Sequence, residues 1–335
     1  MIFHPGIIAV LLGSMVVLSM LLYGSLISIR ILRQWDINSS SELQLELERK
    51  TYLTSTIISY VLVYQMVSTL LFVYTVDSLH TQFIGAMCAT GVLNVNPSGW
   101  YVLYLKVTNM FLSAIWVGLN WADQRYPDYP LTKPKSALLL LMFPLFAAET
   151  YLEFSYFLGL NPAVITSCCG SLFSASGKGL AATLSGVPVR VSETMLALSS
   201  IVFFILGIVN IKRPVPFVRY LFSLSGIIFF FAALISVVSF ISLYFYELPT
   251  HHCPFDILQS DFHYVGYPLY VSLFLSTVTS ILVGIYQAVK HRFSDPAPIE
   301  GFIKGSTLLS LLTALCFLVI GLWPVVFSSF TLEGY

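Results

Sequence analysis

The side chains best suited to chemistry gather in three stretches of the chain. DSLHTQFIGAMCATG carries His80 and Cys88, ITSCCGSLFS carries Cys168 and Cys169, and PTHHCPFDILQSDFHYVGYP carries His251, His252, Cys253 and His263. With His4, they account for four of the five Cys and five of the six His; Cys316 and His291 are the exceptions. Thiolate and imidazole are the donors that zinc, copper and iron–sulfur clusters take. Thiols are also redox nucleophiles when nearby positive charge favours the thiolate. The stretches lie far apart in sequence, so they form one site only if the intervening elements return to the same end of the fold.

Those elements are membrane spans. The chain has 335 residues, 57% hydrophobic and only 10% charged. Soluble domains carry about 25% charged residues, so soluble-enzyme, disordered and nucleic-acid-binding classes are excluded. A spanning helix needs about 20 mostly apolar residues. Eight runs qualify, near 6–29, 52–76, 101–122, 137–160, 194–211, 220–246, 267–289 and 306–330. They are continuous rather than alternating, which favours helices over a barrel. The expected fold is an all-α polytopic bundle of about eight transmembrane helices over 1–335, without a soluble domain or a convincing internal repeat. Pro144 and Pro324 are positions where spans are expected to bend.

MIFHP has no basic residue before the first span, whereas Arg30 and Arg33 follow it, so that span is not read as a cleavable signal peptide. Thirteen of the sixteen Lys and Arg fall in one set of alternate loops, Lys178 and Arg190 in the other, and Lys106 inside a span. The positive-inside rule then places both termini and the Cys/His loops outside. A bacterial inner membrane with these loops in the periplasm is the expected setting. In the first inner connection Ser40 or Ser41 is placed to cap a helix that begins with Glu42 and runs into the second span.

Four readings of the Cys/His cluster follow. Cys88, Cys168, Cys169 and Cys253 make an even number on an oxidising face, as structural disulfides would; a bond between adjacent Cys168 and Cys169 is strained, which favours Cys88 and Cys253 each bonding one of them. The same thiols fit a redox site that exchanges through mixed disulfides, by analogy with quinone-using membrane disulfide oxidoreductases, although C-x-x-C is absent. With His80, His252 and His263 they fit a metal site. Incidental thiols are the fourth reading. Cys168-Cys169-Gly170 resembles the CCG motif of heterodisulfide-reductase-type subunits over those three residues, without its C-x-x-C. The expected cofactor is a metal ion or quinone. There is no C-x-x-C-H for c-type haem and no pair of mid-span histidines for b-type haem. GKG at 177–179 lacks the P-loop pattern.

A second candidate lies inside the membrane, where ionisable residues are functional by default. Lys106 in the third span and Glu149 and Glu153 in the fourth fall at similar depths on expected antiparallel neighbours. Lys106 is therefore expected to face Glu153 or Glu149, with Asn109 at the same level. A packing ion pair, a proton relay and a quinone contact all suit this trio. Trp100, Tyr101, Tyr104, Tyr264, Tyr267 and Tyr270 suit an interfacial aromatic belt. The leading expectation is extracytoplasmic thiol-redox, electron-transfer or metal handling. The alternatives are a transporter with structural disulfides, or a membrane anchor subunit. The partners implied are the lipid bilayer, a redox or metal-carrying protein outside, or other membrane subunits.

Overall fold

The computed structural model describes residues 3–36, 39, 41–166, 187–249 and 251–332. Among them every regular element is helical, and eight helices are long and apolar enough to cross a membrane. They are α1 (Pro5–Gln34), α2 (Glu42–Ser78), α3 (Ser98–Asp123), α4 (Thr132–Leu158), α5 (Val189–Lys212), α6 (Pro216–Tyr246), α7 (Gly266–Val289) and α8 (Pro296–Phe327). Each holds the centre of one of the eight apolar runs. This is the architecture of an integral membrane protein.

Local chemistry sets the helix ends. Pro5 opens α1, where its missing N–H costs nothing, and His4 Nδ1 accepts from the Gly6 N–H at 3.3 Å. Ser41 caps α2: its Oγ accepts from the Gln44 N–H at 3.3 Å, while Ser40 lies outside the described residues. The 37-residue α2 then continues from Glu42 without interruption. Both α4 and α8 continue through their internal prolines, Pro144 and Pro324. Within α6 the residues Val237–Ile241 form a π-helical turn before the helix resumes at Ser242–Tyr246. Such turns release backbone carbonyls from the regular ladder.

The chain packs as two compact units, one built on α1–α4 and one on α5–α8 together with Asp77–Val92. In the first, Val17 and Leu21 of α1, Ile58 and Leu62 of α2, Trp116 of α3, and Leu139, Met142 and Phe146 of α4 form a continuous buried core. In the second, the Phe203 ring stacks on Phe222 and Phe229, with centroids 4.9 and 5.3 Å away, and Phe317 meets Phe229 edge-on. Burial is uneven: 72% of the apolar window of α7 is enclosed, against 22% for α8. Hence α7 is a central helix of its unit, while α8 turns Leu315 and Val319 outward, as lipid contact requires.

Helices in lipid associate through close packing of small residues, and α6 meets α7 in this way. Ser280 Oγ of α7 lies 1.9 Å from where a Cβ on Gly226 would stand, and Ser223 faces Gly284. Gly226→Leu is therefore expected to destabilise the protein by about 1–3 kcal/mol through overpacking. The check is the thermal unfolding midpoint in detergent; an unchanged midpoint would mean that the two helices do not approach so closely.

Candidate functional site

The second unit brings Cys88 and Cys253 together. Their sulfurs are 3.4 Å apart and both residues are fully buried. Cys88 directly precedes the short helix Ala89–Leu93 and accepts at its carbonyl from the N–H groups of Gly91 and Val92. Asp77, at the end of α2, holds this helix: its Oδ1 accepts from the Ala89 N–H at 2.9 Å and from Gln259 Nε2 at 3.2 Å. The same Gln259 Nε2 donates to the Met87 carbonyl at 3.0 Å. Gln259 thus ties the loop of Cys253 to the segment of Cys88. On the other side, Thr166 donates its N–H to the Ile84 carbonyl and its Oγ1–H to the Gly91 carbonyl. Gly85, at φ +86°, makes room for the Thr166 carbonyl, which would lie 2.2 Å from a Cβ there.

Cys253 is held by phenols. Tyr246 Oη donates to the Cys253 carbonyl at 2.5 Å and accepts from the Ile257 N–H at 3.0 Å. Tyr270 Oη donates to the Pro254 carbonyl at 2.6 Å, so this tyrosine of the expected aromatic belt serves the thiol loop instead. The π turn contributes directly. A carbonyl can only accept, so His252 Nδ1 donates to the Val238 carbonyl, at 3.0 Å, and pins the residue next to Cys253.

The third group at the sulfurs is a carboxylate. Cys88, Cys253 and Asp256 offer ligand atoms within 4.8 Å of one another, and all three residues are buried. Asp256 Oδ2 pairs with His251 Nε2. Asp256 Oδ1 is buried and has no hydrogen-bond partner among the described residues. Thr90 Oγ1 lies 3.6 Å from the Cys253 sulfur.

The histidines expected as ligands lie elsewhere. His80 Nδ1 bonds the Asp77 carbonyl at 2.6 Å, His252 is engaged at the π turn, and His263 is exposed at a left-handed turn, φ +54°. The structure puts Asp256 beside the sulfurs in their place, with His251 behind it. Each substitution has a local cause: backbone carbonyls claim His80 and His252, and the Asp256 carboxylate claims His251. Cys168 and Cys169 lie outside the described residues. Cys88 and Cys253 face each other, and the expected bonds to Cys168 and Cys169 fall outside the described residues.

In the first unit, Lys106, Glu149 and Glu153 meet in a fully enclosed network. Lys106 Nζ is 2.9 Å from Glu149 Oε1 and 3.1 Å from Glu153 Oε2. Gln65 of α2 donates to both oxygens of Glu149, at 2.8 and 3.1 Å, and Asn109 Nδ2 donates to Oε2 at 2.6 Å. Glu153 Oε2 accepts from Ser14 Oγ of α1 at 2.7 Å. Each of the four helices contributes a polar group. The Lys106 ammonium also lies 5.3 Å from the centre of the Phe72 ring.

No family model, curated protein or solved structure matches this chain.

Two further ion pairs hold charges that the loop count treats as solvated. Lys135 Nζ is 2.6 Å from Asp123 Oδ2 and donates to Asn120 Oδ1 at 2.8 Å. The Arg219 guanidinium reaches Glu300 with both terminal nitrogens and donates to Gln287 Oε1 at 2.6 Å. Both cations are buried. A cavity of about 180 Å³ adjoins Lys135 and is walled in part by Trp35, Tyr52 and Tyr129.

What the thiol site can do follows from its donors. Two thiolates and a carboxylate would crowd three negative charges into a buried space. A divalent cation resolves that conflict, because metal binding takes ligands in their deprotonated forms. Two thiolates on a tetrahedral zinc at about 2.3 Å stand about 3.8 Å apart, close to the separation observed. The His251–Asp256 pair would be the outer-shell arrangement that orients a carboxylate bound to such an ion.

Proposed function

We propose that this chain is an integral membrane protein that handles a thiophilic metal ion at Cys88, Cys253 and Asp256. The observation that carries the reading is the buried Asp256 carboxylate beside two contacting sulfurs, with one oxygen lacking a hydrogen-bond partner among the described residues. A structural disulfide has no need of that carboxylate. A tetrahedral ion takes a fourth donor beyond these three; Cys168 and Cys169 lie outside the described residues. The concentration of Lys and Arg in the alternate loops supports an extracytoplasmic face for this site, with the bacterial periplasm as the outer compartment. Lys135 and Arg219 are ion-paired, but the other loop cations keep the same bias.

Cobalt(II) tests this reading, because thiolate coordination gives it charge-transfer absorption in the near ultraviolet. Reduced protein in detergent should develop that absorption with one Co²⁺, lose it on addition of Zn²⁺, and fail to develop it as Cys88→Ser. A reduced protein with titratable thiols and no such absorption would overturn the metal reading.

The sulfur contact itself favours a second reading, a redox pair. Cys88 and Cys253 would form a disulfide, giving two electrons and two protons to a quinone or to the disulfide of a partner protein. Full burial of both sulfurs means that such a partner protein would have to open the site first.

A further inference from the structure

The Lys106–Glu149–Glu153 network contains one more acid than base. The charged groups acting on Glu153 are Lys106 of α3 and Glu149 of its own helix. From α1 it meets Ser14, and α2 contributes the neutral Gln65 to Glu149. With both carboxyls ionised, the network would carry a net charge of −1 where all three side chains are no more than 2% exposed. An uncompensated charge in that setting is expensive. One added proton makes the network neutral.

Hydrogen bonding distinguishes the two carboxyls. Both oxygens of Glu149 accept bonds, from Lys106, Gln65 and Asn109. That is how an ionised carboxylate is satisfied. Glu153 accepts only at Oε2, and its Oε1 is buried with no partner among the described residues. Asn109 Oδ1, on the side chain whose amide serves Glu149, is likewise buried without a partner. An ionised Glu153 would leave a charged oxygen bare; a protonated one leaves a hydroxyl, which is far cheaper to desolvate.

From this geometry we propose that the network is a built proton-binding site. Glu153 holds one proton on Oε1, and Glu149 and Lys106 form the ion pair beside it. A cation other than a proton is disfavoured because the Lys106 ammonium already occupies the centre. Release of the proton would change the network from neutral to −1, which gives the spans a single protonatable switch. The inference rests on the first unit alone and is independent of the metal site.

Infrared spectroscopy of the reconstituted protein tests it through the carbonyl stretch of a protonated carboxylic acid. Wild-type protein should show this band near neutral pH with a shift in deuterium oxide. Glu153→Gln should remove it. Glu149→Gln should remove it as well, because Lys106 and Glu153 then form a neutral ionised pair. Ser14→Ala, which removes a hydrogen bond to Glu153, should shift the band, whereas Gln65→Leu, which removes the hydrogen bonds to Glu149, should leave it in place. A band that survives Glu153→Gln would overturn the proposal, as would a shift with Gln65→Leu but not with Ser14→Ala. Absence of the band in folded wild-type protein would do the same.

Discussion

On the proposed metal reading, Cys253→Ser is expected to weaken zinc binding by more than about 100-fold, together with Cys88→Ser the largest functional effect expected of a single substitution. A hydroxyl at neutral pH is not an anionic donor, so a bound ion would lose one of two sulfur donors and a charge that neutralises it. Loss of an outer-shell partner costs about 10–100-fold in metal affinity, and loss of a ligand exceeds that. The variants should form a series. Cys88→Ser and Cys253→Ser fall together at the bottom, because the sulfurs are equivalent and equally buried. Asp256→Asn, which keeps the shape but removes the charge, follows. His251→Gln, which loses the bond to Asp256, falls within the outer-shell range. His80→Gln and His263→Gln stay at the wild-type level, since neither reaches the cluster. Competition against a chromophoric chelator reads the order. A large loss with His263→Gln and none with Asp256→Asn would reinstate the histidine ligand set.

Lys106→Met should be the most destabilising substitution in the first unit, at about 3–5 kcal/mol, the range for removing one partner from a buried ion pair. The methionine fills similar space, so the loss is electrostatic. Without the ammonium, Glu149 must surrender its charge or remain unpaired among Gln65 and Asn109, which are arranged to donate to it. The triple variant Lys106→Met/Glu149→Gln/Glu153→Gln should recover much of the loss, because replacing a whole buried charge network is often close to neutral. Unfolding in detergent distinguishes the two. Equal stability for wild type and Lys106→Met would show that the pair contributes nothing to packing.

The spans were legible because length and apolarity are properties of contiguous residues, and eight runs gave eight helices. The meeting of Lys106 with Glu149 and Glu153 was also legible, since depth in antiparallel helices follows from counting residues. Gln65 and Ser14 were not, because they reach the network from helices whose rotation no local pattern reveals. At the thiol site the sequence pointed to the loops of Cys88 and Cys253, which the structure brings together, but not to Asp256 beside them. His252 adjoins Cys253 and looked the better ligand, but the π turn at Val237–Ile241 frees a carbonyl that claims it. Asp256 was readable in principle as the fourth residue of Cys-Pro-Phe-Asp, a close sulfur–carboxylate spacing that attention to histidine passed over. Gln259 and Asp77, which join the two cysteine segments, are ordinary polar residues with no sequence signature. Lys135 and Arg219 show the converse: each looks like a loop charge and lies buried in an ion pair.

The most direct test of the metal assignment combines intact native mass with thiol alkylation. Protein should be purified without chelator or reductant, weighed intact, and alkylated before and after denaturation, with and without chelation. The metal assignment predicts one bound ion, and thiols at Cys88 and Cys253 that alkylate only once the ion is removed or the fold is lost. A mass without metal, two hydrogens lighter than the reduced chain, with both cysteines resistant to alkylation until a reductant is added, would contradict it and establish a disulfide instead.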